Sequence, residues 1–140
     1  MYISYLVTSL NINHMADGTK VLIVEDDKFL SELISTKLSK EGFDVNLATD
    51  GESGLEKAVS DSPEIILLDI MLPGMSGFEV LEGLKSHADD AVKNIPVLIL
   101  SNFGQESKVQ QGLKLGAKDY LVKANFTTGE IVEKIKAALA

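Results

Sequence analysis

Three acids stand where apolar runs stop. The run "KVLIV" gives way to Glu25 and Asp26, and "IILL" gives way to Asp69. Two more polar residues occupy similar breaks: Ser101 closes "VLIL" and Lys123 follows "DYLV". Carboxylates gathered within a few ångströms repel one another unless one takes a proton or a cation arrives. Oxygen donors of this kind suit a hard divalent cation, and Mg2+ suits a site that keeps waters and also holds a phosphate. A hydroxyl and an ammonium facing a metal-bound carboxylate make an arrangement for a phosphoryl group, with charge stabilised on its peripheral oxygens. Each residue alone has an ordinary use. An acidic pair after a strand is commonly a solvated turn or a helix cap, a lysine there is commonly solvated, and a serine can simply start the next turn. Their joint placement is what points to chemistry.

Whether these groups meet depends on the elements that carry them. From Lys20 onward the chain alternates two periods. "KVLIVEDD", "DVNLATD", "EIILLD", "IPVLILS" and "DYLVK" are short β-rich runs, and three of them are continuously apolar, as strands covered on both faces are. Helical patterns lie between them. Leu30, Leu33, Ile34 and Leu38 mark one face; Leu55, Ala58 and Val59 a second; Phe78, Leu81 and Leu84 a third; Val109 and Leu113 a fourth; and Ile131, Ile135, Ala138 and Leu139 the last. Ser76 with Glu79, and Thr127 with Glu130, fit the capping box at a helix start. This alternation predicts an α/β fold: a doubly wound five-stranded parallel sheet with helices on both faces, flavodoxin-like. The expected strand order is 2-1-3-4-5. In that order the first and third strands are neighbours at the topological switch point, and ligands bind beyond the carboxyl ends of the strands there. Glu25, Asp26 and Asp69 then converge in one crevice, with Ser101 and Lys123 on its opposite wall.

Composition narrows the classes. The 140 residues are one domain's worth of chain, enough to bury roughly two-thirds of the unfolded surface. There is no cysteine, so disulfides, thiolate metal sites and cysteine nucleophiles are excluded and the cytoplasm is the default compartment. His14 and His87 are too far apart in sequence for a local metal motif. A formal charge of −8 argues against a direct nucleic-acid surface. Residues 1–18, "MYISYLVTSLNINHMADG", read as a separate leader or arm ahead of a domain at 19–140. Their apolar run is shorter than the ~20 residues of a membrane span, and no Lys or Arg precedes it as in a signal peptide. Two readings stay open for this segment: a leader without function, with Met15 as the natural start, or a strand-forming arm that pairs with a sheet edge or a partner.

"VLIVEDD", "ILLDIMLPGMSGFEVL", "VLILS" and "GAKDYLVK" together resemble the successive signatures of the receiver domain of two-component response regulators, the chemotaxis-response-regulator-like fold. The resemblance covers residues 20–140, with four motifs in the family's order. It implies that Asp69 is the phosphoacceptor, taking a phosphoryl group from a histidine kinase, a phosphotransfer protein or a small phosphodonor. Asp26 and Asp69 would ligate Mg2+ through side chains, Met71 through its backbone carbonyl and Glu25 through a water. Ser101 would bond a phosphoryl oxygen, and Lys123 would pair with the acceptor site. Tyr120 stands at the aromatic switch position, whose ring would turn from outward to inward on activation and alter the face built by the fourth helix, fifth strand and fifth helix. Such a domain is a signalling module that assists its own phosphorylation and dephosphorylation. It would be a monomer or weak dimer, signalling through an output partner that the sequence does not name.

Several features depart from the family pattern. Ala124 stands where proline usually follows the lysine, which implies a trans peptide and a reshaped loop. Asn102 is larger than the small residue common beside Ser101, which bears on access for bulky phosphodonors. Met71 and Phe103, two residues past Asp69 and Ser101, are apolar and are expected to flank the approach of a hydrolytic water. No basic helix follows the last apolar pattern, so the expectation is a receiver that stands alone or is excised from a longer regulator. Two other classes remain open: a pseudo-receiver that takes no phosphate, and a Mg2+-dependent aspartyl phosphatase. Members of the latter resemble D-x-D, whereas Met71 fills the second acid's place.

Overall fold

Strands that are apolar along their whole length can be buried only if both faces of the sheet are covered. That is the architecture of the computed structural model, which describes residues 17–140. Strand β1 (Lys20–Val24) leads to α1 (Lys28–Lys40), β2 (Asp44–Ala48) to α2 (Gly51–Asp61), and β3 (Ile65–Leu68) to α3 (Gly77–Lys85). After a single helical turn at Asp90–Lys93, β4 (Val97–Ser101) leads to α4 (Glu106–Lys114), and β5 (Asp119–Val122) to α5 (Thr128–Leu139). All neighbours pair in parallel, in the order β2-β1-β3-β4-β5 that the alternation predicts.

Successive strand residues point to opposite faces, and the core divides accordingly. Leu22, Val24, Ile66, Leu68, Val97 and Ile99 pack with Ala58 of α2 and with Phe78, Leu81 and Leu84 of α3. Val21, Ile23, Ile65, Leu67, Leu98 and Leu100 pack with Ile34 and Leu38 of α1 and with Ile131 and Ile135 of α5. Each fully buried Leu or Ile is worth ~1.5–3 kcal/mol, so the two layers hold the sheet rigid from both sides. The register then fixes the site: Val24 is level with Leu68, and Leu68 with Ile99. The residues just past the ends of β1 and β3 are therefore side by side. The Asp69 N–H donates to Val24 O at 2.9 Å, and the Glu25 N–H to Ala48 O at 2.9 Å.

Some expectations differ in detail. Leu33, Val59 and Leu113 are exposed, at 39%, 42% and 39%. They flank the helical stripe without lying on it: Ile34 and Leu38 fill the contact in α1, Ala58 in α2, and the small Gly112 in α4. The capping box is complete at Thr127 and Glu130. At Ser76 only one half is made, the hydroxyl accepting from the Glu79 N–H at 3.3 Å. The turn at Asp90–Lys93 has no periodic signal in the sequence. Most of the 1–18 segment lies outside the described residues; at its end, the Gly18 N–H donates to Gly42 O at 2.8 Å. Among the described residues, no helix is long and apolar enough to cross a membrane.

Candidate functional site: a carboxylate crevice at the strand ends

Glu25, Asp26 and Asp69 place one carboxylate oxygen each within 4.8 Å of one another, as their positions after β1 and β3 require. Glu25 and Asp69 are buried, at 3% and 5% exposure, while Asp26 faces solvent. The crevice they line measures about 450 Å3 and is completed by Asp27, Met71, Leu72, Pro73, Asn102 and Lys123. That is many times the ~30 Å3 occupied by one liquid water, so the crevice is open to small solutes.

The loop after β3 is shaped to aim Asp69. Its Oδ1 accepts from the Ile70 N–H at 2.7 Å and the Met71 N–H at 3.4 Å. The Gly77 N–H closes the loop onto Ile70 O at 2.8 Å. A Cβ on Gly77 would lie 2.0 Å from Asp69 O, so only glycine admits that return. Asp27, which follows the acidic pair, has the ordinary role: it caps α1, accepting from the Leu30 N–H at 3.2 Å.

Lys123 reaches in from the end of β5 and binds both buried acids. Its Nζ donates to Asp69 Oδ2 at 3.2 Å and lies 2.7 Å from Glu25 Oε1. The latter is an ion-pair contact without hydrogen-bond geometry, so Glu25 Oε1 is a buried oxygen lacking a hydrogen bond. Burial pushes the Glu25 carboxyl up to about 7, and the neighbouring Asp69 carboxylate pushes the same way, while Lys123 and the Asp27 N–H pull it back. Burial also works against the charge of Lys123, but Glu25 and Asp69 outweigh it and raise the ammonium above its usual value. Two buried acids, a third beside them and one lysine leave a surplus of negative charge. A cluster of three carboxylates that one lysine cannot neutralise is an all-oxygen donor set of the kind a hard divalent cation fits.

Ser101 and Tyr120 are arranged differently from the sequence expectation. Ser101 is fully buried and does not line the crevice; its Oγ accepts from the Phe103 N–H at 3.0 Å. The Tyr120 ring already stands inward, 8% exposed, with its hydroxyl donating to Phe103 O at 2.7 Å. Of the two positions expected for this ring, the inward one is therefore the one found. Met71 lines the crevice and is 60% exposed, but Phe103 packs against the core and does not line it. Asn102 takes that place instead, a consequence of strand alternation past Ser101 that spacing alone could have indicated. After β5, Lys123–Asn125 form one turn of 3-10 helix, and no peptide bond among the described residues is cis.

The model of the response regulator receiver domain matches residues 21–136. The chain belongs to this family. It is a receiver domain of two-component response regulators, with the fold the family shares. Over 120 residues it is 40% identical to the DNA-binding dual master transcriptional regulator RpaA of Synechocystis sp., covering 86% of this chain and 48% of that protein. Over 121 residues it is 40% identical to the Transcriptional regulatory protein CpxR homolog of Haemophilus influenzae, covering 86% and 50%. The chain thus spans about half the length of these two regulators. Among solved structures, it superposes on the Francisella response regulator 1452 receiver domain with a TM-score of 0.77 at 31% identity, covering 87% of this chain and 97% of that one. It superposes on the CheX-CheY-BeF3-Mg complex of Borrelia burgdorferi with a TM-score of 0.79 at 28% identity, covering 89% and 91%.

Proposed function

We propose that this receiver domain takes a phosphoryl group onto Asp69 from a histidine kinase, a phosphotransfer protein or a small phosphodonor. The observation that carries the reading is the convergence of Glu25, Asp26 and Asp69 within 4.8 Å, with Lys123 bonded to Asp69. In the transfer, a carboxylate oxygen of Asp69 attacks phosphorus in line, the bond from phosphorus to the donor breaks, and an acyl phosphate forms. The Ile70 and Met71 N–H groups fix the carboxylate's orientation, so little reorganisation is needed. Lys123 sits where negative charge gathers on the phosphoryl oxygens. The Ser101 hydroxyl, which accepts from the Phe103 N–H, keeps its own hydrogen; from its buried place behind the crevice it would have to turn toward Asp69 to donate that hydrogen to a phosphoryl oxygen. Glu25, Asp26, Asp69 and the Met71 carbonyl would hold Mg2+, which supplies charge neutralisation when bound.

The same groups support assisted dephosphorylation, with water in place of the kinase histidine. The domain is a signalling module, and its output passes to a partner in the cytoplasm through the face of α4, β5 and α5. The net charge of −8 favours a protein partner over direct contact with nucleic acid. Residues 19–140 are the receiver in this reading, with residues 1–18 an appendage. The test is binding of beryllofluoride, a phosphoryl mimic, followed by calorimetry with and without Mg2+. Saturable binding that requires Mg2+ and is lost in Asp69→Ala supports the reading; binding unchanged in that variant refutes it.

A further inference from the structure

Gly112 is the buried residue of α4. It is not among the glycines with positive φ, so its backbone does not call for glycine. Alanine is the better helix former at such a position. What glycine provides is space. A Cβ at 112 would lie 2.6 Å from Ile99 Cδ1, and 3.1 and 3.5 Å from Tyr120 Cδ2 and Cε2. The Ile99 tip can turn aside, but the Tyr120 ring cannot yield as easily. It is planar, it is fixed at one end by β5, and its hydroxyl is bonded to Phe103 O at the other.

Phe103 links that ring to the site. Its carbonyl accepts from Tyr120 and its N–H donates to Ser101 Oγ, so one residue is held by both. We propose that Gly112 is a positioning residue that makes room for the inward Tyr120, and that through Phe103 it holds the loop on which Ser101 depends. A side chain at 112 would crowd the ring, which must give by a few tenths of an ångström, and that shift would strain its bond to Phe103 and weaken the grip on a phosphoryl group that Gly112 never touches. Coupling of this kind is reciprocal: whatever favours the inward ring also favours the occupied site. The inference rests on the reading of Asp69 as phosphoacceptor with Ser101 as its phosphoryl partner.

The experiment is a double-mutant cycle on the full chain, reading beryllofluoride affinity at saturating Mg2+ and, separately, Mg2+ affinity. Gly112→Ala is expected to weaken beryllofluoride binding ~10-fold while leaving Mg2+ binding unchanged. In a Tyr120→Ala background the same substitution should have no effect, because there is no ring to displace. Gly112→Ala combined with Ile99→Val removes the closer contact and keeps the one to Tyr120, so it should show the same loss with a better-tolerated core. Unchanged beryllofluoride affinity, an equal loss in both Tyr120 backgrounds, or a parallel loss of Mg2+ affinity would each overturn the proposal. A wild-type chain that fails to bind beryllofluoride would overturn the phosphoacceptor reading itself, and this inference with it.

Discussion

Lys123 Nζ lies 2.7 Å from Glu25 Oε1, closer than the 3.2 Å that separates it from Asp69 Oδ2. One ammonium is therefore shared between two buried acids, and its closer contact is with the acid at the end of β1. The remaining charge has two ways out, a proton on Glu25 or a metal ion in the crevice. The two should compete.

The pH dependence follows from the sign of the Glu25 shift. Its carboxyl is raised from 4.5 to about 7 in the folded chain, so the native state binds this proton more tightly than the unfolded state does. The associated stability is fully present below the unfolded value and is lost as pH rises through about 7. Metal-free protein should melt at a lower temperature at about pH 8 than at about pH 5.5, and Glu25→Gln should flatten that slope. A wild-type melting temperature that rises over this range would contradict the assignment.

Mg2+ should raise the melting temperature of the wild-type chain by mass action. Asp26 is exposed and supplies one corner of the carboxylate cluster, so Asp26→Asn should blunt the Mg2+ response while leaving the metal-free chain as stable or more stable. Thermal melts over a Mg2+ series make the comparison. An Asp26→Asn chain several degrees less stable without metal would assign Asp26 to the fold.

How far the sequence carried these positions depends on the physics that fixes each one. Glu25, Asp26, Asp69 and Lys123 were legible because a parallel sheet leaves no choice about where strand ends go, and apolar runs mark those ends. The helix stripes were legible in outline, but Leu33, Val59 and Leu113 are exposed. Periodicity gives a stripe's direction and not its width. Ser101 and Tyr120 lie on the strands that the apolar runs mark, but their rotamers answer to the Phe103 peptide, a contact between β5 and the β4–α4 loop that no local pattern encodes. The same holds for Phe103 itself, expected at the crevice and found packed on the core.

Of the two residues expected to flank the approach of a hydrolytic water, only Met71 lines the crevice. Met71 lines the crevice with an apolar, exposed side chain that cannot orient a water. Met71→Asn should accelerate phosphoryl loss by ~10-fold, or ~1.4 kcal/mol in the barrier. Phe103→Glu should instead destabilise the chain, because it puts a carboxylate against the core. Decay rates of the phosphorylated variants at saturating Mg2+ separate the two, and an unchanged rate in Met71→Asn would show that this position does not gate water.

Ser62 ends α2 in the left-handed region, with φ of 50° and ψ of 58°. It is exposed, and among the described residues no other non-glycine has positive φ. Glycine meets no Cβ penalty in this conformation, so Ser62→Gly should stabilise the domain by ~0.5–1 kcal/mol. Urea unfolding would measure it; a destabilised variant would mean that the serine hydroxyl contributes more than the strain costs.

Asp69 is the residue on which phosphoryl transfer depends. The direct measurement is intact-mass spectrometry after incubation with acetyl phosphate and Mg2+, on the wild-type chain and on Asp69→Asn. One added phosphoryl group on the wild type, labile to base and absent from Asp69→Asn, is the predicted result. Labelling of Asp69→Asn at the wild-type level would contradict it.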